Sequence, residues 1–249
     1  MRTIVITNDD GIHSPGLEAL AESVRDLGRT IVVAPDRDNS AVSHALTMTR
    51  PLRLNRIDED IYTVDGTPTD CVILALGQIL GAKPDLLLSG INTGPNLGDD
   101  ISYSGTVSAA MEGTMYGVPS MAVSVAGDAP LDYTAAQTLS CQLAVTIMEN
   151  ELPHKTLINL NVPSGQDCKG IKVTRQGQRL WENAIKETSD PWGRPRYWIG
   201  GGTPVRDERR DTDVKAIHDG YASVTPIHLD LTNHASIQCL KEKWRLEEK

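Results

Sequence analysis

The chain has 249 residues, of which 39% are hydrophobic and 23% are charged, a composition typical of folded globular proteins rather than disordered ones. Its net charge of −9 disfavours non-specific binding to duplex DNA or to anionic membranes, since both are negative themselves. No apolar run approaches the roughly 20 residues that span a bilayer. The four cysteines include no Cys-x-x-Cys pair, which indicates reduced thiols, and we expect a cytoplasmic protein.

Strands and helices are predicted to alternate through the first two thirds of the chain. Short apolar or β-branched runs predict buried strands at residues 4–6, 31–34, 86–88, 121–125 and 157–160. Apolar residues at helical spacing predict helices at residues 17–27, 72–80, 105–116 and 133–149. Gly28 ends the first helix where a C′ glycine is common. This order predicts an α/β fold with a doubly wound, mainly parallel, Rossmann-like sheet.

The composition changes after about residue 170, where Gly, Pro and Arg become frequent. All four tryptophans lie in this part, at Trp181, Trp192, Trp198 and Trp244. We expect residues 1–170 to form the α/β core and residues 171–249 a β-rich C-terminal arm with a helix. Two interpretations of the tryptophans stand on spacing alone: a subdomain that buries them itself, or an oligomerisation surface, where aromatic residues are enriched. Asp230 and His234 have the spacing of an i, i+4 pair, which we interpret as structural.

Candidate functional residues follow the predicted strands, because ligands of doubly wound sheets bind beyond the carboxyl ends of the strands. Asp9 and Asp10 follow the first strand. Adjacent buried carboxylates repel each other, so a proton or a cation must relieve them, and Mg²⁺ or Mn²⁺ prefers oxygen ligands. Taken alone, the Asp-Gly sequence there is more often a plain turn. Ser40 follows the second strand and is, by itself, an ordinary loop hydroxyl.

The segment after the third strand carries the strongest signal. From residue 89 to residue 106 it contains four glycines and two asparagines, Asn92 and Asn96, which indicates close approach of the backbone to a small anion. An asparagine amide offers oxygen to a metal or N–H to a phosphate. The following Ser104-Gly105-Thr106 begins a predicted helix, whose free N–H groups favour phosphate. P-loop, dinucleotide and serine-hydrolase motifs are absent from the sequence, so a metal and phosphate site is the remaining prediction.

The sequence resembles the SurE (survival protein E) family of 5′/3′-nucleotidases. The resemblance rests on motifs that occur in order along nearly the whole chain, at residues 8–16, 34–37, 66–71, 89–107 and 213–226. It implies one divalent metal ion per subunit, Mg²⁺ or Mn²⁺, held by Asp9, Asp10, Ser40 and Asn92. It also implies that the phosphate-side residues are Asn96, Ser104, Gly105 and Thr106.

The resemblance further implies hydrolysis of nucleoside monophosphates, cleavage of polyphosphate in some members, and homodimers or homotetramers with exchanged C-terminal arms. This favours the oligomerisation interpretation of the tryptophans. The serine of the second loop is usually followed by Gly in the family, whereas Ala41 stands here. If that position has a positive φ, alanine costs about 1 kcal/mol.

Our mechanistic hypothesis is attack on phosphorus by a metal-activated water that Asp9 or Asp10 orients or deprotonates. Two alternatives remain open at this point. One is an aspartate-nucleophile phosphatase, in which a carboxylate attacks phosphorus directly. The other is a non-enzymatic nucleotide sensor that uses the same residues for binding alone.

Overall fold

A computed structural model describes residues 1–165, 167–179, 181–182, 184–200, 202–204 and 207–244. Its strands are β1 Thr3–Thr7, β2 Arg29–Pro35, β3 Leu54–Asp58, β4 Ile61–Val64, β5 Leu86–Thr93, β6 Ser120–Ala126, β7 Thr156–Pro163, β8 Ile171–Val173, β9 Trp181–Glu182, β10 Ile185–Ser189, β11 Pro195–Ile199, β12 Thr203–Pro204 and β13 Ala222–His228. Nine of them form a central sheet in the order β3-β4-β2-β1-β5-β6-β7-β13-β8. Strands β4, β2, β1, β5, β6 and β7 run parallel, so the predicted α/β class is confirmed.

Helices cover both faces of this sheet. They are α1 Pro15–Val24, α2 Pro68–Leu74, α3 Gly105–Met115, α4 Thr134–Glu149, α5 Asp213–His218 and α6 His234–Trp244. Alternate residues of β1 enter different cores: Ile4 and Ile6 pack with α1 and α4, whereas Val5 packs with α2 and α3. This alternation follows from the period of two along a strand and explains the continuous apolar runs of the sequence.

The order of the strands reverses at β1. Strand β1 pairs with β2 on one side and with β5 on the other, all in parallel. The chain builds outward from β1 to β2 and β4, and then returns to the opposite side of β1 to form β5. The carboxyl ends of β1 and β5 therefore form the topological switch point, where ligands of such sheets bind.

Two predicted boundaries were wrong, and two strands were missed. Strand β5 does not end at Ser89 but continues to Thr93, and its pairing with β6 shifts register on the way. Helix α2 begins at Pro68 rather than at residue 72, because the side chains of Thr67 and Asp70 cap each other's backbone N–H groups. Strands β3 and β4 were not predicted.

Gly28 ends the first helical segment, but its backbone is extended rather than left-handed. Helix α1 stops at Val24 and a short 3₁₀ turn, Arg25–Leu27, follows it. A Cβ atom at residue 28 would lie 2.4 Å from the carbonyl oxygen of Arg2. Close approach of two backbones, and not a positive φ, therefore explains the glycine.

The later part of the chain contributes to the central sheet and also forms a separate hairpin. Strand β13 pairs antiparallel with β7 and parallel with β8, whereas β10 and β11 pair only with each other among the described strands. Trp192, Trp198 and Trp244 are 79%, 67% and 65% exposed, so the arm does not bury these three rings. The side chain of Trp181 lies outside the described residues. The domain division at residue 170 stays a prediction.

The structure bears on three further expectations. The ring of His234 lies 2.7 Å from Asp230 Oδ2, which confirms that pair at the start of α6. All four cysteines are free. Within the part of the chain that the structure describes, no helix combines the length and the apolar character needed to cross a membrane.

Candidate active site

The segments that follow β1, β2 and β5 meet at the switch point. The backbone N–H of Asn39 donates to the carbonyl oxygen of Asp9 over 2.8 Å. The N–H of Thr93 donates to Asp10 Oδ2 over 3.1 Å, and the hydroxyl of Thr106 donates to Asp9 Oδ1. These segments surround a pocket of about 240 Å³, which is lined by Asp9, Ser40, Ala41, Asn92, Thr93, Asn96, Asp100, Tyr103 and Ser104.

The two aspartates sit in an environment that disfavours negative charge. Burial raises the pKa of Asp9 to about 6; the hydrogen bond from Thr106 opposes that rise and the charge of Asp10 adds to it. Burial also raises the pKa of Asp10, and the nearby Asp38 contributes in the same direction. A cation bound between the carboxylates would stabilise their charged forms.

Each candidate metal ligand has one polar atom fixed by the protein and keeps oxygen lone pairs that these bonds do not use. The Asn92 amide donates to the carbonyl oxygen of Gly94 over 2.7 Å, so its Oδ1 remains as an acceptor. The Ser40 hydroxyl donates to Asp38 over 2.6 Å, which leaves the lone pairs of the oxygen. Asp9 and Asp10 each use one carboxylate oxygen in the bonds described above.

This donor set fits a hard divalent cation. Carboxylate, hydroxyl and amide oxygens are the ligands that Mg²⁺ and Mn²⁺ prefer, commonly with only one or two carboxylates. Within the described residues, no group of three or more His, Cys, Asp or Glu side chains is arranged to hold a metal. The structure therefore offers this mixed oxygen set rather than a zinc-type cluster.

Ala41 adopts a φ of +57°, which is the left-handed conformation that glycine favours. The expected cost of alanine at a position with positive φ therefore applies, and the loop after β2 carries local backbone strain. The loop is nevertheless anchored on the opposite wall of the pocket. The N–H of Ser43 donates to the carbonyl oxygen of Tyr103 over 3.0 Å. The hydroxyl of Ser43 donates to the carbonyl oxygen of Ser102 over 2.8 Å.

The four residues assigned to the phosphate side occupy two different places. Asn96 and Ser104 line the pocket, and the Ser104 hydroxyl caps α3 by accepting from the N–H of Val107 over 3.1 Å. Gly105 lies against Asp9, because a Cβ there would come within 2.9 Å of the Asp9 Cβ. Thr106 is fully buried, with its hydroxyl on the Asp9 carboxylate. The side chains of these last two residues thus shape the surroundings of Asp9 rather than line the pocket.

Sequence reasoning missed several residues of this site. Thr93, Asp100 and Tyr103 line the pocket; they lie within the motif at residues 89–107, but no role was predicted for their side chains. Asn159 and Asn161, fully buried on β7, contact the backbone of Asn96. The sequence could have indicated these two residues, since two asparagines two residues apart on one face of an apolar strand are unusual.

Fold and site together define a doubly wound α/β protein with an acidic, oxygen-lined pocket at its switch point. The family model described as Survival protein SurE matches residues 4–183. The chain belongs to the SurE family.

Known relatives extend this likeness over nearly the whole chain. It is 50% identical over 245 residues to the 5′-nucleotidase SurE of Syntrophotalea carbinolica, covering 98% of this chain and 97% of the relative. It is 47% identical to the 5′-nucleotidase SurE of Aquifex aeolicus, covering 97% and 98% of the two chains. The crystal structure of the SurE protein from Aquifex aeolicus superposes with a TM-score of 0.88 at 46% identity, covering 97% of this chain and 99% of that one.

Proposed function

We propose that this protein is a divalent-metal-dependent phosphomonoesterase that hydrolyses nucleoside 5′-monophosphates to nucleoside and phosphate. The observation that carries the proposal is the convergence of Asp9, Ser40, Asn92 and Asn96 on one pocket, with Asp10 held beside it by Thr93. The relatives' name, 5′-nucleotidase, supports the choice of substrate.

The chain's own residues have separate roles in this proposal. A bound Mg²⁺ or Mn²⁺ would draw charge from the phosphate and lower the pKa of the attacking water. Asp9 or Asp10 orients that water and accepts its proton. The Asn96 amide and the N–H groups at the start of α3 donate to the equatorial phosphate oxygens, where negative charge accumulates.

The dimensions of the pocket support a broad substrate range. At about 240 Å³ it has room for a phosphate group but not for a whole nucleotide, since ligand pockets of drug-sized molecules begin at roughly 300 Å³. The sugar and base would therefore lie outside, near the exposed ring of Tyr103. We extend the proposal to nucleoside 3′-monophosphates and to the terminal phosphate of polyphosphate.

A metal-by-substrate activity panel tests the proposed reaction. We expect phosphate release from AMP with Mn²⁺ or Mg²⁺, its loss with EDTA, and a loss of at least about 100-fold in kcat for Asp9→Asn. Asp26→Asn, an exposed carboxylate in the turn after α1, is the matched control and should keep full activity. Full activity of Asp9→Asn would contradict the assignment.

The two alternatives give different outcomes in the same assays. An aspartate nucleophile would form an aspartyl-phosphate and release the nucleoside before water attacks phosphorus, so acid quenching of a single turnover with ³²P-labelled AMP would leave label on the protein. Direct attack by water on the substrate would leave no label on the protein. A nucleotide sensor would bind AMP without releasing phosphate under any metal condition.

We also propose that the protein forms a homodimer or homotetramer through its C-terminal arm. Ile199, Tyr197 and Trp198 are exposed although they alternate between the two faces of the β10–β11 hairpin. An isolated two-stranded hairpin is at best marginally stable, so a second copy that covers these side chains would stabilise it. The cytoplasmic location stays a prediction.

A further inference from the structure

The backbone around Asn96 is held by side chains that come from strand β7. Asn161 Oδ1 accepts a hydrogen bond from the N–H of Asn96 over 2.8 Å, and its Nδ2 donates to the carbonyl oxygen of Asn96 over 3.0 Å. Asn159 Nδ2 donates to the same carbonyl oxygen over 2.9 Å. Both asparagines are fully buried. The two backbone polar groups of a pocket residue are thus fixed by one neighbouring strand.

The same short segment is fixed again two residues later. The N–H of Gly98 donates to Asp213 Oδ2 over 2.9 Å, and its carbonyl oxygen accepts from Gln176 Nε2 over 2.9 Å. The Asn96 side chain itself donates to the Ser124 hydroxyl over 2.8 Å. That bond uses one amide hydrogen, so a second N–H and the carbonyl oxygen remain for the pocket.

We infer that Asn161 is a positioning residue for the reaction, because it fixes the orientation in which Asn96 meets the phosphate. The inference rests on the proposed function. Asn161 holds both the N–H and the carbonyl oxygen of Asn96, so its removal leaves a buried N–H without its acceptor and only the bond from Asn159 on the carbonyl oxygen, which lets the backbone of Asn96 shift. Displacement of a reacting contact by about 1 Å can cost on the order of 100-fold in rate.

Asn159 provides a matched comparison on the same strand and the same face. Its bond to the carbonyl oxygen of Asn96 duplicates one made by Asn161, and its own buried Oδ1 has no hydrogen-bond partner. Removing Asn159 therefore leaves the N–H of Asn96 satisfied and its carbonyl oxygen still bonded. The two asparagines are alike in burial and size but unlike in their hold on Asn96.

The first test compares Asn161→Ala with Asn159→Ala in the full-length protein. We expect Asn161→Ala to lower kcat for AMP by about 10- to 100-fold and Asn159→Ala by no more than about threefold. Mn²⁺ affinity should change by less than about threefold in both variants, because neither asparagine contacts a candidate metal ligand. Amide hydrogen exchange at Asn96 should accelerate in Asn161→Ala alone. Equal losses of kcat, or unchanged exchange at Asn96, would overturn the inference.

The second test is a double-mutant cycle with Asn96→Ala. If Asn161 acts through the Asn96 side chain, Asn161→Ala should cost no further activity in the Asn96→Ala background. If the kcat losses of the two single variants multiply in the double variant, Asn161 acts independently of the Asn96 side chain. That result would overturn the inference but leave the proposed function standing. Wild-type kcat in Asn96→Ala would instead contradict the phosphate-side assignment on which the inference rests. A wild-type protein that releases no phosphate would contradict the proposed function itself.

Discussion

The hydroxyl of Thr106, in the first turn of α3, donates a hydrogen bond to Oδ1 of Asp9 at the end of β1. This bond lowers the pKa of Asp9 against the larger opposing effect of burial, and the balance is a value of about 6. It also fixes which carboxylate oxygen remains for a cation. A helix that follows β5 thus controls the protonation of a residue that follows β1.

Thr106→Val, which keeps the shape of the side chain, should raise the pKa of Asp9 further. A hydrogen bond to a charged group contributes about 1.5–3 kcal/mol, so we expect Mn²⁺ affinity near pH 6 to fall by about tenfold or more. The loss should shrink at pH 8, where a larger share of the variant's Asp9 carboxyl group is charged than at pH 6. Thr106→Ser keeps the hydroxyl and serves as the control. An affinity loss that is independent of pH would contradict this role.

Metal binding by the wild-type protein should weaken as the pH falls below about 6. The pKa of Asp9 is raised by burial, so the carboxyl group is protonated below that value and a cation must displace the proton. One competing proton predicts about a tenfold loss of affinity per pH unit in that range and little change above pH 7. Mn²⁺ titrations between pH 5 and pH 8 measure this. A flat profile would show that Asp9 does not ligate the metal.

Gly16 and Gly77 make a matched pair for testing backbone contact at the site. A Cβ at residue 16 would lie 2.0 Å from the carbonyl oxygen of Ile91, the residue before Asn92, whereas a Cβ at residue 77 meets nothing within 4 Å. Gly16→Ala should destabilise the fold by about 1–3 kcal/mol or more and weaken Mn²⁺ binding. Gly77→Ala should be neutral or stabilise by up to about 1 kcal/mol. Thermal unfolding without Mn²⁺ measures the change in stability, and the shift on adding Mn²⁺ measures the change in binding. Equal unfolding temperatures for Gly16→Ala and Gly77→Ala would refute the contact at residue 16.

The alternation of strands and helices was predictable because each core strand is a continuous apolar run bounded by turn residues. The residues after β1, β2 and β5 were predictable as a site because parallel strands bring their carboxyl ends to one edge. The contact between Thr106 and Asp9 was not, since it joins residues 97 positions apart through a close approach that only Gly105 permits. The register shift within β5 also depends on tertiary pairing, which no local pattern encodes.

Ala41→Gly should stabilise the protein, because residue 41 has a positive φ that costs alanine about 1 kcal/mol. The same substitution at Ala19, within α1, should destabilise by about 0.5–1 kcal/mol, since glycine is unfavourable inside a helix. Urea unfolding of the two variants measures both values. Destabilisation by Ala41→Gly would indicate that this backbone conformation is not the one adopted in solution.

Trp198→Ser on β11 should shift the proposed oligomer toward monomers. The ring is largely exposed in the isolated subunit, so its loss costs little inside one chain but removes apolar area from an interface. Sedimentation velocity across a range of concentrations measures the association. Tyr116→Ser, an exposed aromatic at the end of α3, is the control that should leave assembly unchanged. A wild-type protein that sediments as a monomer at every concentration would contradict the oligomer.

The attachment of the Asn96–Gly98 segment to later parts of the chain has a consequence for biosynthesis. All four candidate cation ligands lie within the first 92 residues, whereas Asn161, Gln176 and Asp213 emerge from the ribosome much later. A nascent chain thus carries the complete ligand set long before the groups that orient Asn96 exist. In the proposed reaction, full activity would therefore require synthesis and folding through residue 213, whereas a shorter product could carry the cation ligands without the groups that hold the Asn96–Gly98 segment.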